Sequence, residues 1–432
     1  MTDIQPPSDS DPVPLKHREL EKIAMAALHL GQLLMETGAN ADIVRKGMTM
    51  VVAGQHTETL AARIGYASLS LTVRGGGNTI SRLLQVGHHG VNLQLNNAAR
   101  SLAVRAAYGK ITPEEIEKRV AALRTSTPKH HWLTVALATG LACASFGQLL
   151  GTDILAFAPI WLAGFIGQAI RHFMVKNRQN TFAMVATVAF VASSIGAFLS
   201  SLIGSVTPEM AMFSSVLLLV PGVPSMNAQT DIMEGSPTLG SARAITVLMI
   251  LIFLTVGVAM SRHLFIHFDN NDVLSHFGII HHTIFGAIAA AGFGILFNFS
   301  WRTVVWAAVG GAIALAIRTL GMDANWGLAM SSTIAAIVVT LFVRMLYLMP
   351  LNFPTGGSML ALAGCIPMIP GSGAAHGLVG LMTFASQHES YDVALLGSSA
   401  AAMLSVVFTI GGIGAAITLI NEIFKRPSFP TQ

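Results

Sequence analysis

From about residue 130 onward the chain alternates apolar runs of roughly 20 residues with short polar connections. A run of that length, at ~1.5 Å per helical residue, crosses a bilayer core of ~30 Å. Ten such runs are expected as transmembrane helices: 131–150, 154–172, 181–203, 209–228, 242–260, 280–298, 304–320, 328–346, 358–381 and 395–420. The pattern before residue 130 is different. Residues 20–35 carry apolar positions at helical spacing, and Thr37-Gly-Ala-Asn-Ala41 reads as a stop followed by a new cap for a helix over 42–53. Residues 67–73 alternate Ser and Thr with apolar side chains, and 80–86 is a second apolar run. Arg74-Gly-Gly-Gly-Asn78 between them predicts a hairpin, and helices return over 91–108 and 113–123.

These patterns predict a mainly α-helical polytopic membrane protein with a small cytoplasmic α+β domain at its N-terminus. The expected divisions are a disordered tail (1–15), the α+β domain (16–129), a first five-helix membrane repeat (130–261), an extracytoplasmic connector (262–279), a second five-helix repeat (280–422) and a cytoplasmic tail (423–432). The opening MTDIQPPSDSDPVP is acidic and Pro-rich, with neither the basic nor the apolar segment of a signal peptide. The first membrane helix is therefore expected to direct insertion.

Composition sharpens the division. Only 11% of the 432 residues are charged and 53% are hydrophobic, and 26 of the 46 Asp, Glu, Lys and Arg residues precede His130. A soluble globule carries about 25% charged residues. The net charge of +4 does not point to nucleic acid, because ten of the 25 basic residues sit in the apolar part at predicted helix ends. Short cytoplasmic loops collect Lys and Arg. With the N-terminus inside, Arg171, Lys176, Arg178, Arg243, Arg302, Arg344, Lys425 and Arg426 are cytoplasmic, leaving Arg262 and Arg318 outside with Asp153, Glu209, Asp269, Asp272, Asp323, Glu389 and Asp392. Both termini are expected inside.

The membrane part repeats. Ala144-Ser-Phe-Gly147 returns as Ala291-Gly-Phe-Gly294 at an offset of 147, as do Gly164, Ile170 and Arg171 in Gly311, Ile317 and Arg318. Val220-Pro-Gly222 returns as Ile369-Pro-Gly371 at 149, and Leu239-Gly-Ser241 as Leu396-Gly-Ser398 at 157. Each copy holds five spans, so the second enters the membrane upside down. Inverted repeats mark secondary transporters, whose substrate site lies near the midplane between the copies.

The fourth span of each copy is interrupted, by Val220-Pro-Gly-Val-Pro224 and by Ile366-Pro-Met-Ile-Pro-Gly371. Proline removes a backbone donor and clashes with the preceding turn, so the helix should unwind there. Broken helices at corresponding places in two repeats point to a transport site, and the helix that restarts after each break offers N–H groups to an anion. The expected substrate-binding residues are Pro221, Gly222, Asn227, Pro370, Gly371, Ser372 and His376, with Asp231 as the proton-coupling group. Arg171, Arg243, Arg318 and Pro367 are expected to be structural or gating residues. Gln229 and Glu234 also follow the first break. Gln148, Gln168 and Asn298 read as interhelical hydrogen-bonding groups, and Cys143 and Cys365 as buried apolar fillers. No metal site is expected: His88-His89 lacks spaced partner ligands, and His263, His267, His276, His281 and His282 read as solvated connector groups. No HExxH, GxSxG or Walker A sequence is present, so neither hydrolysis nor ATP-driven pumping is supported, and nothing calls for a cofactor.

The stretch Leu217 to Arg243, LLLVPGVPSMNAQTDIMEGSPTLGSAR, resembles the signature of the threonine/serine exporter family. LLMETGANADIVRKGM from Leu33, and Ser81-Arg82 through His89-Gly-Val-Asn92, are similar to that family's cytoplasmic domain. CIPMIPG at Cys365 to Gly371 is similar to its second, smaller membrane domain. The likeness runs from Leu20 to Glu422, as though the two subunits of the family's two-subunit, succinate-exporting type were fused. It implies proton-driven export of threonine and serine, or of dicarboxylates such as succinate, across the inner membrane. Pro221, Gly222, Asn227, Asp231 and Arg243 match its first motif, and Pro367, Pro370 and Gly371 its second. Ser372-Gly-Ala-Ala375 is less bulky than the family's pattern, which leaves the substrate open between the two classes. Expected partners are the small-molecule substrate and the lipid bilayer, with a homo-oligomer compatible. A membrane-anchored enzyme or regulator acting through the N-terminal domain is the alternative of a different class.

Overall fold

A computed structural model describes residues 17–265, 277–348, 357–386, 392–424 and 429. The expected tail 1–15 lies outside those residues, as do His267, Asp269, Asp272, His276, Glu389, Lys425 and Arg426. By its contacts the chain falls into two units: one of residues up to 127 with 234–239 and Phe429, the other of 128–233 with 240–426.

The first unit is built from α1 (His17–Glu36), α2 (Ala41–Ala53), strands β1 (Glu58–Ile64), β2 (Ser68–Gly75) and β3 (Asn78–Gln85), α3 (Leu93–Ala107) and α4 (Pro113–Ser126). Its helices start where the sequence places caps: the side chains of Asn40, Asn92 and Thr112 accept from the N–H groups of Ile43, Leu95 and Glu115. The three strands form an antiparallel sheet in the order β1-β2-β3. The hairpin between β2 and β3 closes through Gly76 and Gly77, both at positive φ (54° and 81°), as a two-residue primed turn requires. Strand β1 has no counterpart in the sequence reading. Its residues, Glu-Thr-Leu-Ala-Ala-Arg-Ile, are poor in β-formers and lie on the sheet edge, so local pattern gave them no signal.

Leu69, Leu71 and Val73 of β2 alternate onto the buried face and pack with α1 and α2 in one apolar core. A polar chain threads it: Asn96 donates to the Thr37 hydroxyl (2.9 Å), and the Arg100 Nε donates to Asn96 Oδ1 (2.8 Å). His89 is structural, its Nε2 donating to the Tyr66 carbonyl (2.9 Å) while its ring stacks on Tyr66. The segment 234–239 packs into this unit: Asn40 donates to Glu234 (2.8 Å), Arg45 donates to the Ser236 hydroxyl (3.1 Å), and Leu239 is part of the core. Phe429 joins the same core.

The second unit is all helix. Its members are α5 (Trp132–Leu149), α6 (Phe157–Lys176), α7 (Thr181–Leu202), α8 (Pro208–Ser215), α9 (Gly222–Met233), α10 (Pro237–Leu264), α11 (Ile279–Leu296), α12 (Trp301–Asp323), α13 (Leu328–Leu348), α14 (Gly357–Cys365), α15 (Gly371–Ala385) and α16 (Val393–Ile423). Among the described residues eight helices are long and apolar enough to cross a bilayer, and α8–α9 and α14–α15 make two further bent pairs, giving eight to ten candidate spans. Large apolar side chains such as Phe198, Ile245, Val407 and Phe408 face outward. A lipid solvent accepts that surface where water would not.

Helices α5 and α11 run antiparallel. At one end the backbone N–H of His130 donates to Asn298 Oδ1 (3.1 Å), midway Phe146 meets Phe293, and at the other end the His281 Nε2 approaches the Gln148 carbonyl (3.4 Å). Small residues let neighbouring backbones approach: a Cβ added at Gly311 would lie 2.5 Å from the Gly286 carbonyl oxygen. Gly311→Ala is therefore expected to destabilise the detergent-solubilised protein by ~1–3 kcal/mol, read as a lowered thermal midpoint. Gly411→Ala, where a Cβ meets nothing within 4 Å, is expected to leave the midpoint level or raised.

Candidate functional site

The two proline-glycine interruptions fold alike. In the first, α8 ends at Ser215, a 3₁₀ turn covers Leu217–Leu219, Val220 is extended (φ −64°, ψ 120°), and α9 restarts at Gly222 after a 57° bend. In the second, α14 ends at Cys365, a 3₁₀ turn containing Pro367 covers Ile366–Met368, Ile369 is extended (φ −67°, ψ 120°), and α15 restarts at Gly371 after a 47° bend. Each proline is bridged by a one-residue turn: Gly222 N–H donates to the Val220 carbonyl (2.9 Å) and Gly371 N–H to the Ile369 carbonyl (2.8 Å). Pro370, at φ −79° and ψ 65°, occupies the inverse γ-turn minimum.

These turns use up donors that the sequence reading had left free. The Ser225 and Ala374 N–H groups are likewise taken, by the carbonyls of Pro221 and Pro370. Since Pro224 has no N–H, the first turn of α9 leaves the Val223 amide without an acceptor among the described residues, whereas that of α15 leaves Ser372 and Gly373. The second break is the better anion site.

The breaks meet. A Cβ at Gly222 would lie 2.9 Å from Ile369, and one at Gly371 would lie 2.9 Å from both Leu217 and Val220, so each glycine makes room for the other break. Between them is a small, partly open and mostly apolar pocket. Its walls are paired at the repeat offsets: Phe146 with Phe293, Leu217 with Ile366, Val220 with Ile369, and Gly222 with Gly371. Val223 and Phe297 complete it.

Of the expected site residues, Gly222 and Gly371 line this pocket, and Pro221 and Pro370 shape its turns. Ser372 is half-buried in the first turn of α15. Asn227 and His376 each lie five residues past the pocket glycine, outside the lining. The His376 ring sits 3.6 Å from that of Phe213, and its Nε2 is buried without a hydrogen-bond partner among the described residues. Asp231 is fully buried and accepts from Arg243 Nη1 at 2.7 Å. Arg318 Nη1 donates to the Met368 carbonyl (3.3 Å) in the second 3₁₀ turn, while its repeat counterpart Arg171 is half-buried and makes no such bond among the described residues. Near the start of α8, Glu209 pairs with Arg262 at 3.3 Å.

Reasoning from motifs missed the apolar walls. Phe146 and Phe293 stood in the repeated Ala-x-Phe-Gly, and their equal spacing was the available signal. The Asp231–Arg243 pair had none, because twelve residues and a helix corner separate its members.

Comparison with known proteins agrees with this geometry. A threonine/serine exporter family model matches residues 25–265, and a second, "Threonine/Serine exporter, ThrE", matches 282–423. The threonine/serine exporter of Corynebacterium glutamicum is 22% identical over 99% of this chain and 88% of its own length. The "Probable succinate transporter subunit YjjP" of Klebsiella aerogenes is 24% identical over 56% of this chain and 94% of its own, and that of Escherichia coli is 25% identical over 55% and 93%. No solved structure matches. With both family models present and many apolar helices around paired helix breaks, the chain belongs to the threonine/serine exporter family and is a multi-pass membrane transporter.

Proposed function

We propose that the chain is a proton-coupled secondary exporter of small carboxylate metabolites, threonine and serine first, across the inner membrane with both termini in the cytoplasm. The observation that carries this reading is the meeting of two similarly folded breaks at one pocket. Ten spans in two inverted five-helix repeats are part of it. They are supported by the antiparallel run of α5 and α11, which are repeat counterparts, and by the matched turns at Pro221 and Pro370. In such a scaffold, rocking of the halves exposes a central site to each side in turn.

A carboxylate has a partner in the amide of Val223, which lines the pocket, and others in the amides of Ser372 and Gly373 and the Ser372 hydroxyl, which directly follow the lining Gly371. Its apolar portion faces the surrounding walls. Asn227 and His376, each ~7.5 Å further along its helix, extend the polar path to either side. Arg171 and Arg318 serve as structural or gating cations at matching helix positions, with Pro367 fixing the second turn.

Succinate is the second reading. It draws on the Arg318 guanidinium at the second break, which has the charge to hold a further carboxylate, and on the relatives named as succinate transporter subunits.

Asp231 is assigned the coupling proton. Protonation removes the anionic half of its pair with Arg243 at the corner between α9 and α10. Breaking one side of a buried ion pair costs ~3–5 kcal/mol, whereas replacing both with apolar residues of similar volume is often neutral. Asp231→Asn and Arg243→Met are therefore expected each to lower the thermal midpoint, with Asp231→Leu/Arg243→Met recovering most of the loss. In proteoliposomes the recovered double variant should no longer respond to a pH gradient; a retained response removes Asp231 from coupling.

Counterflow of labelled threonine, serine and succinate, with and without a pH gradient, tests the substrate class. Pro221→Ala/Gly222→Leu, which restores a straight helix and fills the pocket against Ile369, is expected to abolish flux while membrane insertion persists. Normal counterflow by that variant would refute the site.

A further inference from the structure

Two phenylalanines play no part in the reading above beyond forming a wall, yet their placement is specific. Phe146 and Phe293 occupy the same position of the repeated Ala-x-Phe-Gly, 147 residues apart. Because α5 and α11 run antiparallel, the two rings arrive face to edge from opposite helices, centroids 5.7 Å apart and planes at 87°. Both are buried (6% and 5% exposed), whereas Phe173, Phe198 and Phe408 are exposed on the outer surface. These two rings are therefore not lipid anchors. Both line the pocket whose remaining walls come from the helix breaks.

We propose that Phe146 and Phe293 are the specificity-determining residues of the transport site, limiting the hydrocarbon length of the substrate it admits. The inference rests on the pocket being that site. The pocket has two kinds of surface. Free amides cluster at the breaks, and elsewhere the lining is hydrocarbon and aromatic. A small metabolite with a carboxylate at one end and a short apolar portion has one orientation that satisfies both, carboxylate to the breaks and carbon chain toward the rings. Chain extension then drives carbon into the edge-to-face pair. The pocket is small, so one ring edge decides what fits. Phe297 stands 5.9 Å from Phe293 and also lines the pocket, while Leu150, one repeat offset earlier, does not. The second-repeat side is consequently the more crowded, with Phe293 flanked by both Phe146 and Phe297.

The test is counterflow in proteoliposomes with labelled serine and leucine, and with labelled succinate and adipate, for the full chain and its Phe146→Ala, Phe293→Ala, Phe146→Leu and Phe146→Trp variants. One methylene in an apolar pocket discriminates by ~10–200-fold. The long-to-short rate ratio is therefore expected to rise about tenfold or more in either alanine variant, less in Phe146→Leu, and to fall in Phe146→Trp. The leucine and tryptophan variants keep the core filled, so the ratio remains measurable if an alanine variant does not fold. An unchanged ratio in all folded variants, or an equal loss of every substrate, overturns the proposal and assigns the rings to packing. Absence of serine and succinate flux in the unaltered chain instead refutes the transport reading, and this inference with it.

Discussion

A helix inside a membrane has no water to satisfy a broken hydrogen-bond ladder, and this chain breaks that ladder twice. Both breaks are met by the same local device. A proline flanked by an extended Val or Ile and a glycine lets the glycine N–H return to the carbonyl two residues back. The device removes part of the penalty but not all of it, because Val223, Ser372 and Gly373 keep unbonded N–H groups. Val223 lines the pocket between the two breaks, and Ser372 and Gly373 directly follow its lining residue Gly371. The same constraint that endangers the fold thus creates its polar site.

Pairing the breaks depends on residues chosen for size. Gly222 admits Ile369, and Gly371 admits Leu217 and Val220, so each turn is braced by the apolar side chains of the other. The bracing is reciprocal, as expected when one supersecondary unit is used twice. The pairing is not fully symmetric. Pro224 removes a donor that Gly373 keeps, and Arg318 reaches a carbonyl that Arg171 has no equivalent bond to. The two half-sites are therefore unlike, as the proposed reading requires of a substrate with two unlike ends.

In the first unit, a conventional soluble core of α1, α2 and β2 takes in residues 234–239, which directly follow α9 in the chain. Asp231 and Arg243, on either side of that segment, are joined in the second unit by their buried ion pair. Residues 234–239 are thus held within the first unit by the polar contacts of Asn40 and Arg45.

The amino-acid sequence by itself determined the apolar spans, the hairpin at Gly76-Gly77, the cap at Asn40, and the two Pro-Gly interruptions with their repeat spacing. Each is encoded locally, in hydrophobic period or in the stereochemistry of Gly, Pro and Asn. The edge strand β1 escaped because its residues have no strong preference and gain their conformation from β2. Only the tertiary structure decided that the breaks face each other, that Phe146 and Phe293 close the cavity between them, that Asp231 is held by Arg243, and that γ-turns consume amides which a straight reading leaves open. Those are contacts between segments up to about 150 residues apart, set by how helices pack, and no pattern within one segment specifies its partner.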